Sequence, residues 1–126
     1  MPTTTRRIAL WVSTIAWAGV ILLGSSVPGS QIPGHIPSEV GHLGEYFILG
    51  CLLYLALRID LSARQALVLA VVIASVYGVT DEFHQRFVVM RTPDVYDWAL
   101  DTLGALVGAA LVLALGRRAI GRRRSA

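Results

Sequence analysis

Ionisable and amide side chains gather at three places in an otherwise apolar chain: His42 and Glu45, then TDEFHQR (80–86), then Asp94, Asp97 and Asp101. On helices, these groups fall into stripes. His42, Glu45, Tyr46 and Leu49 lie at i, i+3, i+4 and i+7, which is one face. Gly78, Glu82 and Gln85 form a second stripe, with Tyr77, Asp81 and His84 beside it. Asp94, Asp97, Asp101, Gly104 and Gly108 run down a third. Carboxylates facing histidines in this way can hold a divalent metal, which activates water or polarises a phosphoryl oxygen. The expected catalytic groups are Glu82, His42 and Asp97. The expected metal ligands are Asp101, Asp97 and Glu82. Arg91, Gln85, Tyr46 and His84 are expected to bind substrate, Arg91 by a bidentate grip on phosphate or carboxylate. No strict metal-protease spacing such as HExxH is present.

Simpler roles compete for individual residues. His42 fits a hydrogen-bonded histidine at a membrane interface. Asp81 reads as a surface charge at a solvated helix end, and Glu82 stands i, i+4 from Arg86. Asp94 has the place and chemistry of a helix N-cap. Gly104 and Gly108 form a GxxxG, which lets a neighbouring helix backbone approach closely. Asp101 is the hardest to treat as ordinary, because it lies a full turn inside an apolar run.

Four apolar segments must carry these groups: IALWVSTIAWAGVILL (8–23), VGHLGEYFILGCLLYLAL (40–57), a segment from Ala66 through Val79 into the motif, and WALDTLGALVGAALVLAL (98–115). Apolar residues make up 55% of the 126 and charged ones 15%, well below the quarter usual in soluble domains. Each segment approaches the ~20 residues a helix needs to cross a bilayer core. The expected fold is therefore all-α, a polytopic four-transmembrane-helix bundle in one domain over 1–126. Its spans are about 8–26, 40–58, 65–87 and 96–116, and 117–126 is a basic cytoplasmic tail. Between spans, GSSVPGSQIPGHIPS (24–38) is too rich in Gly, Pro and Ser for a regular element. Cys51 is the only cysteine and reads as a small core residue.

Nine of the eleven arginines precede span one, lie between spans two and three, or follow span four. The positive-inside rule then places both termini in the cytoplasm and the acids and histidines toward the outer face. The arginines flank apolar segments rather than lining a helix face with aromatics, which speaks against nucleic acid despite a net charge of +3. RRAIGRRR (117–124) suits anchoring to anionic lipid. The N-terminal pattern also fits a signal peptide, whose removal would leave three spans in the same orientation.

The constellation resembles the VanZ-like family of small bacterial membrane proteins. The matching positions are His42 and Tyr46, then Gly78, Glu82, Gln85 and Phe87, then Arg91, Asp97, Asp101, Gly104 and Gly108. The resemblance covers about residues 38–109. Ser38 and Glu39 stand where the family often has Asp-Lys, which removes a cation from that position. Val89 and Met90 stand where it often has Pro-Gly, which is expected to loosen the turn that positions Arg91. The resemblance implies a location in the bacterial cytoplasmic membrane and a link to glycopeptide (teicoplanin) resistance. Expected partners are membrane lipid and a lipid-linked envelope precursor, bound or modified at the outer face. The alternatives are a non-catalytic membrane interaction module and a small-molecule transporter subunit.

Overall fold

The computed structural model describes residues 3–35 and 37–125. Among them the regular elements are all helical: α1 (Thr3–Ser25), a 3-10 turn (Gly29–Gln31), α2 (Ser38–Leu57), α3 (Ala63–Gln85) and α4 (Val95–Arg124). All four α-helices are long and apolar enough to cross a membrane. α1 starts five residues before the expected span, at Thr3. α3 stops at Gln85, two residues short. α4 runs helically through the expected tail to Arg124, because its arginines and Ala119 favour helix and Gly121 alone does not break it.

Local chemistry sets the helix starts. Ser62 Oγ accepts the Gln65 N–H while Gln65 Oε1 accepts the Ser62 N–H, a capping box that opens α3 after a short turn. Asp94 Oδ1 accepts the Tyr96 N–H at 2.9 Å and opens α4, as its residue type suggested.

Packing is strongest between α2 and α4, where backbones nearly touch. A Cβ on Gly104 would sit 2.6 Å from the Leu43 carbonyl, and one on Gly108 would sit 2.1 Å from that of Phe47. Gly50 returns the contact, 2.2 Å from the Ala105 carbonyl. The GxxxG is thus the seam itself. Without a hydrophobic drive between helices in lipid, such close approach supplies the van der Waals energy of association. α3 turns an equally small ridge inward, with Ala66, Ala70, Ala74 and Gly78 all buried at four-residue spacing. Large apolar side chains such as Ile15, Val72, Val76 and Val107 point outward instead, the reverse of a soluble bundle.

α1 is tied on by polar side chains. Trp17 Nε1 donates to the Glu45 carbonyl at 2.9 Å and Tyr77 Oη to the Ala18 carbonyl at 2.6 Å. At the opposite end, Arg7 of α1 pairs with Asp60 in the α2–α3 turn.

Candidate functional site

The polar stripes of α2, α3 and α4 meet at the end of the bundle where the α1–α2 connection lies. His42 is buried and sits at the centre. Its Nδ1 is 2.7 Å from Asp101 Oδ1 of α4, and its Nε2 is 3.5 Å from Asp97 Oδ2 one turn away. Asp101 is fully buried, yet its Oδ2 has no partner. Glu82 completes the group from α3: Oε2 accepts the Asp94 N–H at 2.9 Å, while Oε1 is buried and unpartnered. One ligand atom each from His42, Glu82 and Asp101 lies within 4.8 Å of the others. Tyr46, a turn below His42, is 0% exposed with its hydroxyl likewise unpaired. Gly78 permits this crowding, because a Cβ there would sit 3.1 Å from Asp101 Oδ2.

Beside this cluster, and sharing His42 with it, is a cavity of about 290 Å³, walled by Gly24, Ser25 and Val27 of α1 and its connection, His42 and Glu45 of α2, Asp81 and Gln85 of α3, and Arg91. Ile32, Pro33 and Pro37 cover it. A second chamber of about 350 Å³ shares Gln85 and Arg91 and opens onto Asp97. Arg91 stands between the chambers and holds the connection down. Its Nε donates to the Val27 carbonyl and its Nη2 to that of Gly24, both at 3.2 Å. Without Pro-Gly, the α3–α4 turn is held by backbone hydrogen bonds. Arg91 N donates to the Val88 carbonyl and Gly29 N to that of Val89, with Met90 in the left-handed region at φ 58°.

Most of the expected site residues converge. His42, Glu82, Asp97 and Asp101 form one cluster, from which His42 reaches the first chamber and Asp97 the second, while Gln85 and Arg91 line both. Tyr46 lies behind the cluster and lines neither chamber. His84 is set apart: its Nε2 meets Ser26 Oγ at 2.9 Å, and it lines neither chamber. Of the expected ligands, Glu82 and Asp101 lie with His42 within one ion's reach, while Asp97 stands on the far nitrogen of the imidazole.

Two surface readings fail. Asp81 is 4% exposed and faces the cavity, because the α1–α2 connection folds back over the end of α3. Glu82 does not pair with Arg86. It turns inward to the start of α4, leaving the Arg86 guanidinium 5.7 Å over the Phe83 ring. Sequence reasoning also left Glu45 out of the site, although its position three residues after His42 was the available signal.

Four membrane-length helices around a polar chamber define a multi-pass membrane protein with a buried ionisable site. A family model described as VanZ/LLP1 matches residues 10–116, so the chain belongs to the VanZ/LLP1 family. No curated protein and no solved structure matches it.

Proposed function

We propose that this protein works in the bacterial cytoplasmic membrane with both termini inside. There it takes the charged head group of a membrane lipid or lipid-linked envelope precursor into the cavity and acts on it. The carrying observation is the cavity wall: Arg91 faces His42, Glu45 and Asp81 across a space of about 290 Å³, within helices that otherwise present aliphatic side chains. Ionisable groups at membrane depth are costly and rarely kept without a polar ligand or pathway. Arg91 spends two N–H donors on backbone carbonyls and keeps others for a phosphate or carboxylate. Gln85 supplies an amide beside it, and His42, which lines the cavity, links it to the adjoining carboxylates Asp97, Asp101 and Glu82 that offer groups for chemistry. The inside position of the termini is supported by the arginine distribution.

The experiment is teicoplanin susceptibility of a sensitive bacterium expressing the chain. The wild type is expected to raise the inhibitory concentration. Glu82→Gln, Asp97→Asn and Arg91→Ala are expected to abolish that rise at unchanged membrane levels. Full protection by all three variants refutes action at this site.

A second reading has its own observation. Arg91 clamps the α1–α2 connection, and His84 holds Ser26 in the same segment. These contacts suit a non-catalytic module that shapes this loop for a membrane partner. Saturable ligand binding without product distinguishes it.

A further inference from the structure

From the buried cluster that adjoins the cavity at His42 we infer a divalent-cation site formed by His42, Glu82 and Asp101, with Asp97 as the carboxylate beside the other imidazole nitrogen. The atoms to be satisfied are specific. Asp101 Oδ2 and Glu82 Oε1 are both buried and without partners, in side chains 0% and 8% exposed. An unpaired buried acceptor costs about 1–3 kcal/mol and more when charged, and surrounding lipid offers no compensation. A cation among these oxygens satisfies both at once.

Geometry supports the trio. Ligands held at about 2.1 Å around one ion lie roughly 3.4–4.2 Å apart. The three donor atoms already fall within 4.8 Å of one another, so the required movement is a fraction of an ångström to about one. The ion takes the place of the proton between His42 Nδ1 and Asp101, which are 2.7 Å apart. His42 Nε2 is then left 3.5 Å from Asp97 Oδ2, and a small approach of the two completes the carboxylate–histidine–metal arrangement that fixes tautomer and ring orientation. Gly78 is part of the site for the same reason. Any side chain there crowds Asp101 Oδ2.

One imidazole with two carboxylates suits borderline Zn²⁺, or the harder Mn²⁺, better than Ca²⁺, which prefers all-oxygen cages. The inference rests on the head-group reading for what the ion does there, which is to polarise a phosphate held beside Arg91. Its binding can be measured without any lipid.

The full chain, purified in detergent and stripped with EDTA, is titrated with Zn²⁺ against a chromogenic chelator and with Mn²⁺ by electron paramagnetic resonance. One ion per chain is expected. Asp101→Asn and Glu82→Gln, which preserve volume, are expected to weaken binding by about 100-fold or more. Asp97→Asn is expected to weaken it by about 10–100-fold, as loss of an orienting carboxylate does. Exposed Glu39→Gln serves as the control and should bind as the wild type. Helicity of each variant is read alongside, so that affinity is compared only among folded chains. Absence of a bound ion in the folded wild type overturns the inference, as does equal affinity in Asp101→Asn and Glu82→Gln. Either result leaves the susceptibility experiment standing as a separate measure of the head-group reading.

Discussion

Gly108→Ala adds one methyl group at the α2–α4 seam, and the structure fixes what it meets. Its Cβ would lie 2.1 Å from the Phe47 carbonyl oxygen and 3.2 Å from Cys51 Sγ. The first neighbour is helix backbone and cannot rotate away. Restoring an ordinary contact of 3.4 Å requires the helices to part by about 1.3 Å, the difference between the two distances. Overpacking of this kind costs about 1–3 kcal/mol. Alanine returns about 0.5–1 kcal/mol relative to glycine in a helix interior, leaving a net loss of up to about 2.5 kcal/mol, at the upper end here because the clash is with backbone. Gly116→Ala is the matched comparison. It lies on the same helix with nothing within 4 Å of its Cβ, so it should only gain. Cys51 is the natural reporter, since it is the only cysteine and its thiol donates to the Gly108 carbonyl at 3.4 Å. Heating detergent-solubilised protein with a fluorogenic maleimide should show Cys51 unmasking earlier in Gly108→Ala than in the wild type, and no earlier in Gly116→Ala. If Gly108→Ala matches or exceeds wild-type stability, the close approach of α2 and α4 is wrong. The placement of Asp101 against His42 falls with it.

Two further outcomes use the same thermal assay. Ser62→Ala removes the capping box of α3 and should cost about 1 kcal/mol, with Ser62→Asn restoring most of it; an unchanged midpoint would contradict the cap. Met90→Gly relieves a left-handed residue that is 74% exposed and loses little packing. The strain of about 1–2 kcal/mol exceeds glycine's extra unfolded-state entropy of about 0.5–1 kcal/mol, so this variant should be slightly more stable than the wild type, and a lower midpoint would contradict the strained turn.

The parts of the fold legible in the sequence were those set by local composition. Four apolar runs give four helices, and Asp94 marks a helix start because capping depends only on residues within one turn. The GxxxG was also readable, since Gly104 and Gly108 lie on the face that carries Asp97 and Asp101. Asp81 was not readable. Its burial depends on the path of a connection more than forty residues earlier in the chain, and no period in α3 encodes that path. The Glu82–Arg86 pairing failed for a similar reason. An i, i+4 pair of this kind is worth only a few tenths of a kcal/mol, less than a buried carboxylate gains from the Asp94 N–H. His84 has the chemistry of a site residue but is taken up by Ser26, a residue that stood in an unstructured stretch of sequence.

The length of α4 bears on the bilayer around the protein. Sixteen residues separate Asp101 from Arg117 within one continuous helix, a rise of about 24 Å. The hydrocarbon core is about 30 Å thick. If Arg117 rests at head-group level on its own side, Asp101 lies about 6 Å inside the opposite boundary even with the helix upright, and deeper if it tilts. Hydrophobic mismatch of this sort is relieved by local thinning. On the proposed head-group reading, such thinning would dimple the membrane over the chamber and shorten the path of a lipid head group to Arg91.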